Sequence, residues 1–203
     1  MRDFTIWLMR HGEIDHAYKG RLVGQRDVPL SEKGRIQALV FRNLASEVGL
    51  GSIHCSDLSR SYNTAEIIMG GLTIPLIKTI MLREISLGAW EGHQVKDIKE
   101  GFPDQWRDRV ENIAEYRPSS GESFADLASR VIPIFESIVI SATSDTLIVG
   151  HAGVNRVIIC HVLGVSLDHV LKIGQDYGRM NVIQSRDGTL TLRAVNCPGF
   201  FND

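Results

Sequence analysis

Two histidines occupy similar places in the sequence, each at the end of a strand-like apolar run and each with a glycine one or two residues after it. In LMRHGE (8–13), His11 follows the run FTIWLM (4–9), and in LIVGHAG (147–153), His151 follows a second such run. The carboxyl ends of parallel strands meet at one edge of an α/β sheet, where ligands bind beside helix N-termini that favour anions. The pattern therefore predicts that both imidazoles face one anion site.

Two arginines can join these histidines. Arg10 directly precedes His11, and Arg60 ends SDLSR (56–60), at the start of a helix that follows another short strand. Guanidinium and imidazole groups that converge on one point suit a compact, doubly charged anion, and phosphate fits best. We therefore expect Arg10, Arg60 and His151 to bind a phosphate group.

This set of side chains predicts covalent phosphoryl transfer. A neutral imidazole can attack phosphorus to form a phosphohistidine, which divides a difficult hydrolysis into two steps. The cationic groups would stabilise charge on the equatorial oxygens. A carboxylic acid must also protonate the leaving group and later activate water. Glu13, Glu84 and Glu91 are the candidates for this acid, and Glu13 fits better as a residue that orients the arginines.

Other chemistries fit the sequence less well. A metal site made of His11, Glu13, Asp15 and His16 would place four ligands within six loop residues, which is not a usual spacing. The chain also lacks the P-loop sequence of nucleotide-binding enzymes and the nucleophile elbow of serine hydrolases. We therefore expect neither a metal nor another cofactor.

The composition excludes several kinds of partner. The 203 residues carry a net charge of −2 and their basic residues are dispersed, so we expect no nucleic-acid partner. No apolar run approaches the roughly 20 residues of a membrane helix, and the first apolar run is too short for a signal peptide. The three cysteines, Cys55, Cys160 and Cys197, lack metal-site spacing and fit reduced thiols. We therefore expect a cytoplasmic protein that does not contact membranes.

Five short segments form a pattern that is more specific together than any one of them alone. They are RHGE (10–13), GQRDVPLSEKG (24–34), SDLSR (56–60), LREISLGAWEG (82–92) and VGHAG (149–153). In this order they resemble the phosphoglycerate mutase-like branch of the histidine phosphatase superfamily, over nearly the whole chain. The resemblance implies that His11 is the phosphorylated nucleophile, Glu84 the proton donor, and Arg10, Arg60 and His151 the phosphate-binding residues.

Two positions depart from the family pattern. Ala17 stands where the family often places an asparagine that touches the phosphate, and Val23 replaces the small polar residue that mutases tend to have. The four basic groups can still bind phosphate, whereas the mutase activity is less well supported. The short middle segment, with GAWEG (88–92) and SSGES (119–123), looks most like small bacterial α-ribazole-5′-phosphate phosphatases.

The elements that must position these residues alternate between strands and helices. This alternation indicates a three-layer α/β/α sandwich with a mainly parallel central sheet, and Asp187-Gly188 predicts a hairpin near its end. We expect one domain over 1–203, with a small helical cap inserted at about 88–120. The helix predicted over 31–47 would bury apolar residues at helical spacing, namely Ile36, Leu39, Val40 and Leu44.

Together these observations predict a metal-independent phosphomonoesterase that acts through a phosphohistidine on a small phosphorylated metabolite. α-Ribazole 5′-phosphate is one candidate substrate, and the loops at 13–27 and 88–120 are expected to decide specificity. A cofactor-dependent phosphoglycerate mutase is the enzymatic alternative. A non-catalytic module that binds a phosphorylated ligand is the alternative from another class. A homodimer is compatible with the sequence.

Overall fold

A computed structural model describes residues 3–198 of the chain, built around a six-stranded sheet. The strands are β1 (Phe4–Arg10), β2 (Ser52–Cys55), β3 (Leu76–Lys78), β4 (Thr146–Gly150), β5 (Met180–Arg186) and β6 (Thr189–Cys197). Their order in the sheet is β3-β2-β4-β1-β5-β6. The first four strands in this order are mutually parallel, whereas β5 and β6 are antiparallel to their neighbours. The predicted α/β fold with a mainly parallel sheet is confirmed.

Helices cover both faces of the sheet. They are α1 (Glu32–Glu47), α2 (Ser59–Met69), α3 (Val95–Gly101), α4 (Pro103–Glu111), α5 (Phe124–Ser141) and α6 (Ala152–Leu163). Successive strand residues point to opposite faces. Met9 and Val149 therefore pack with α1 and α2 in one buried cluster, while Leu8 and Ile148 pack with α5 and α6 in the other. Each cluster lies between one face of the sheet and the helices packed on it, so the three predicted layers are present.

The inward face of α1 differs from the prediction. Ile36, Leu39 and Val40 are 53%, 45% and 61% exposed, whereas the smaller Ala38 and Ala45 are buried, together with Phe41. The Leu44 side chain lies outside the described part of the structure. The physical reason is a close backbone contact at the start of the helix, because a Cβ on Gly34 would overlap the carbonyl oxygen of Glu13. This contact turns inward the face that carries the small residues at positions 34, 38 and 45, together with Phe41.

The region predicted as a cap, about 88–120, contains α3 and α4. Trp90 is buried and stacks on Trp106 and Tyr116, with ring centroids 6.2 and 5.6 Å away. Trp90 therefore packs this region together. Whether it forms a cap on a single domain over 1–203 stays a prediction, and residues 1–2 and 199–203 lie outside the described residues.

The predicted hairpin is present between β5 and β6. Asp187 and Gly188 both have positive φ angles, 48° and 79°, as a two-residue turn between twisted antiparallel strands requires. Elsewhere in the described chain, none of the helices combines the length and the apolar character needed to cross a membrane.

Candidate active site

The structure brings His11 and His151 together at the carboxyl ends of β1 and β4. These strands are parallel neighbours, and the backbone N–H of His11 donates to the carbonyl of Gly150 at 3.1 Å. The two ring centroids are 5.0 Å apart and the ring planes meet at 63°. Both side chains are buried. The two strand-end histidines thus share one site, as their matching sequence positions predict.

His11 is held in one orientation and one tautomer. Its Nδ1 lies 2.8 Å from the carbonyl oxygen of Gly12. A carbonyl can only accept, so Nδ1 carries the hydrogen and Nε2 keeps its lone pair. Burial, followed by the charges of Arg60 and Arg10, lowers the pKa of His11 well below its usual value. The imidazole is therefore neutral at neutral pH, with Nε2 free to act as a nucleophile.

His151 is oriented by Ser56, a residue that the sequence patterns did not single out. The Ser56 hydroxyl lies 2.7 Å from Nε2 of His151, while Nδ1 is buried without a partner among the described residues. Burial and the charge of Arg60 lower the pKa of this imidazole well below its usual value. Ser56 directly follows β2, so the strand-end rule that located the histidines could also have located Ser56.

Arg10 lies across the ring of Tyr177. Its guanidinium carbon is 3.6 Å from the ring centroid, and Nη1 donates to the carbonyl of Gln175 at 2.5 Å. Its Nε is buried without a partner in the described structure. The Tyr177 ring also lies 5.5 Å from the ring of His11. No pattern in the sequence marks Gln175 or Tyr177, because both follow an irregular connection.

Arg60 lies in the first turn of α2 and is 2% exposed. It holds the loop that carries the GQRD sequence, because its Nη1 and Nη2 donate to the carbonyls of Arg26 and Gly24, each at 2.7 Å. Asp27 in turn accepts from the backbone N–H of Ser59 at 2.7 Å. Within the described residues, no carboxylate forms an ion pair with Arg60 or Arg10. Both charges therefore stay available to an anion.

Glu84 lies against the N-terminus of α6. Its two carboxylate oxygens accept from the backbone N–H of Gly153 at 3.0 and 3.2 Å, and one of them also accepts from Ile85 at 3.0 Å. Gly153 follows His151 by two residues, so the carboxylate lies against the backbone of the segment that carries this histidine. A Cβ at position 153 would overlap the carboxylate oxygen, which explains the second glycine of VGHAG.

The two rival carboxylates have other partners. Glu13 pairs with Lys33 at 2.7 Å, and the hydrogen bond from Lys33 lowers its pKa. The expectation that Glu13 orients the arginines is therefore wrong, since its side chain turns towards α1. One oxygen of Glu91 accepts from the backbone N–H groups of Gln25 and Leu87, at 2.9 and 3.0 Å. Glu91 thus ties two loops together.

Tyr177 lines a cavity of about 260 Å³, and its ring lies 5.5 Å from the ring of His11. The walls of this cavity come mainly from the loop at 13–21, which lies within one of the two loops expected to decide specificity.

Ala17 is exposed in a 3-10 turn, His16–Tyr18, and Val23 is half-buried in a tight turn. Neither provides a polar side chain. Among the described residues, no group of three or more His, Cys, Asp or Glu side chains is arranged to hold a metal ion.

Comparison with known proteins agrees with this geometry. A model of branch 1 of the histidine phosphatase superfamily matches residues 6–198. The chain belongs to this superfamily. It is 32% identical to phosphoserine phosphatase 1 of Hydrogenobacter thermophilus, over 93% of this chain and 90% of the relative. It is 27% identical to the adenosylcobalamin/alpha-ribazole phosphatase of Salmonella typhimurium, over 94% of this chain and 95% of the relative.

A solved structure is also similar over almost the whole of both chains. Bacillus stearothermophilus YhfR matches with a TM-score of 0.86 and 31% identity, covering 96% of this chain and 97% of that protein. The predicted resemblance to the histidine phosphatase superfamily is confirmed, and the full-length relatives that are named phosphatases support phosphatase activity. The structure places His11 and His151 side by side, within reach of the charges of Arg10 and Arg60, and it places Glu84 against the helix end that follows His151. The catalytic and phosphate-binding roles of these residues stay predictions.

Proposed function

We propose that the chain is a metal-independent phosphomonoesterase in which His11 carries the phosphoryl group between two half-reactions. One observation supports this proposal most directly. In the described part of the chain, the buried side-chain nitrogens and oxygens without a hydrogen-bond partner are Arg10 Nε and His151 Nδ1. Buried polar atoms almost always have partners. A phosphoryl group next to His11 would offer oxygens to both nitrogens.

In the first half-reaction, Nε2 of His11 attacks phosphorus and the bond from phosphorus to the ester oxygen breaks. Glu84, protonated at this stage, gives its proton to the departing alkoxide. Arg10, Arg60 and His151 stabilise the negative charge on the equatorial oxygens. If the Ser56 hydroxyl donates to Nε2 of His151, then Nδ1 of that ring carries a hydrogen that it can donate to one of these oxygens.

In the second half-reaction, Glu84 acts as a base. Its carboxylate takes a proton from a water molecule as the water oxygen attacks the phosphohistidine. The bond between Nε2 and phosphorus breaks, inorganic phosphate forms, and His11 regains its lone pair. Glu84 is then protonated again, ready for the next ester. Because His11 is neutral and four basic groups surround the phosphate, these steps need no metal.

Rapid quench with labelled substrate tests the proposal. We expect acid-labile, base-stable phosphate on the protein within the first turnover, and no such species in His11→Asn. If that variant still forms the species or keeps wild-type turnover, the nucleophile is wrong. Tight binding of phosphate or vanadate without any turnover of a broad ester panel would instead indicate the non-catalytic binding module.

The metal requirement has its own test. We expect full activity after dialysis against EDTA, with competitive inhibition by vanadate, whose oxyanion suits the same basic groups. Loss of activity in EDTA that one added metal ion restores would contradict metal independence. A matched assay with magnesium added after dialysis should give the same rate as the dialysed enzyme.

The substrate is proposed to be a small phosphorylated metabolite, with α-ribazole 5′-phosphate and phosphoserine as the first candidates. These two follow from the names of the full-length relatives. A panel that includes 3-phosphoglycerate separates this function from the alternative, because a mutase would interconvert phosphoglycerates faster than it releases phosphate.

The three free cysteines support a reducing compartment such as the cytoplasm. A homodimer is compatible with the exposed apolar residues of α1.

A further inference from the structure

Arg130, on α5, points towards the segment that carries Glu84. Its Nη1 donates to the carbonyls of Met81 and Arg83, at 2.8 and 2.9 Å, and its Nη2 donates to the carbonyl of Glu84 at 2.9 Å. A single guanidinium thus binds three carbonyl groups within four residues. These bonds fix the backbone at the position from which the Glu84 side chain reaches α6.

Glu122 locks this guanidinium in place. It accepts from Nε and Nη2 of Arg130 at 2.7 and 2.9 Å, and one of its oxygens also accepts from the backbone N–H of Ser86 at 2.8 Å. The two side chains are only 16% and 22% exposed. Although burial alone raises the pKa of Glu122, the hydrogen bonds from Arg130 and Ser86 hold it below its usual value. Residues on both sides of Glu84 are therefore tied to one ion pair.

The arrangement uses the full capacity of an arginine. A guanidinium has five N–H donors in a rigid fork, and the bonds to the three carbonyls and to Glu122 account for all of them. Lysine offers three donors on a flexible stem. By contrast, Arg117 on the surface pairs with Asp126 and binds no backbone carbonyl among the described residues. Arg130 is therefore built to position a backbone segment.

We propose that Arg130, held by Glu122, is a positioning residue that aligns the Glu84 carboxylate for proton transfer to the leaving group. In the described structure it forms no hydrogen bond with His11 or His151, and its charge is the last of the causes that lower the pKa of His151, so its main effect falls on Glu84. The inference rests on the proposed function, since it concerns the acid of that reaction. Displacement of a catalytic group by about 1 Å can lower the reaction rate about a hundredfold. Loss of the three carbonyl bonds should allow such a displacement.

The test compares leaving groups and uses a double-mutant cycle. In Arg130→Gln, we expect phosphoenzyme formation from an alkyl phosphate to slow by about 10- to 100-fold, and that from p-nitrophenyl phosphate by less than about threefold. Arg130→Lys should lie between this variant and the wild type. On a Glu84→Gln background, Arg130→Gln should add less than about twofold, because residues that act as one unit are not additive. Arg117→Gln is the matched control and should leave every rate unchanged.

Several results would overturn the inference. Equal losses on both substrates would indicate a general structural role for Arg130, and fully additive losses with Glu84→Gln would show that Arg130 does not act through Glu84. If Arg130→Gln fails to fold, Glu122→Gln takes its place and must show the same selective loss, or the inference is wrong. Absence of phosphohistidine in the wild type would contradict the proposed function itself, a result distinct from these.

Discussion

The carboxylate of Glu84 accepts a hydrogen bond from the backbone N–H of Gly153, two residues beyond His151. The N-terminus of α6 therefore positions two groups at once, the histidine by its chain connection and the carboxylate by a backbone donor. In the reaction we propose, these two groups are the leaving-group acid and a phosphate-binding histidine, and one helix end fixes the position of both. This is the geometry that a leaving-group acid needs, because the ester oxygen lies next to the phosphoryl group.

Replacement of Glu84 should affect poor leaving groups most. Glu84→Gln keeps an oxygen that can accept from Gly153 but cannot supply a proton. A positioned general acid contributes about 10²- to 10⁴-fold. We expect a loss of that order in the burst of phosphoenzyme formed from an alkyl phosphate. The loss with p-nitrophenyl phosphate should be far smaller, since that phenolate leaves almost unaided. Vanadate affinity should change little.

Glu13→Gln and Glu91→Gln are the matched controls for this variant. Glu13 pairs with Lys33 and Glu91 binds the backbone of two loops, so neither change should depend on the leaving group. The burst must be measured separately, because slow hydrolysis of the phosphoenzyme could hide the contrast. Leaving-group dependence confined to either control variant would show that Glu84 is not the acid.

Gly153→Ala should displace the acid without removing it. The new Cβ would overlap the Glu84 carboxylate oxygen and approach Leu127, so the carboxylate must move away from α6. We expect at least a tenfold loss on alkyl phosphates, in line with the cost of a displaced catalytic group, and about a threefold loss or less with p-nitrophenyl phosphate. Steady-state and burst rates on both substrates check this. A variant that retains wild-type rates on alkyl phosphates would show that the Gly153 contact is dispensable.

The strand-end rule located the two histidines because strand direction alone decides where His11 and His151 emerge. It could not choose among Glu13, Glu84 and Glu91, since all three lie in loops whose paths depend on tertiary contacts. Arg130 carried no signal either. Its partners are mostly backbone carbonyls, which every residue has, and it lies 46 positions from Glu84 along the chain. Groups that act by binding backbone are therefore found only in the folded structure.

The prediction of which face of α1 is buried was wrong for a related reason. Hydrophobic spacing favoured the large residues Ile36, Leu39 and Val40, but the close approach of Gly34 to the loop after His11 turned the small residues inward. Periodicity gives the spacing of an apolar face, whereas steric contact decides which of two faces packs. A pattern of small residues at 34, 38 and 45 was the signal for that contact.

Gly12→Ala should destabilise the protein and disturb His11. A Cβ at this position would overlap backbone atoms of Gly34, so one of the two segments must shift. Overpacking of this kind costs about 1–3 kcal/mol. Urea denaturation should show this loss in the free energy of unfolding. Gly71→Ala is the control, because the space around that glycine is open, and its effect should stay within about 0.5 kcal/mol. Equal effects of the two changes would contradict the steric explanation.

Stability should fall as the pH drops below about 6.5, the pKa of an unfolded histidine. Burial and then the charge of Arg60 lower the pKa of His11 and His151 in the folded state, so the unfolded chain binds more protons in this range. The contribution of each histidine to the free energy of unfolding is therefore fully present above that pH. Below that pH, this contribution decreases by up to about 1.4 kcal/mol per pH unit for each histidine. Urea denaturation at pH 7.5, 6.5 and 5.5 measures the slope of the free energy of unfolding against pH, which His11→Gln and His151→Gln should each reduce.

His54, whose pKa burial also lowers, contributes with the same sign, so His54→Gln is the comparison. A slope that neither active-site variant changes would show that these imidazoles are not the groups that titrate.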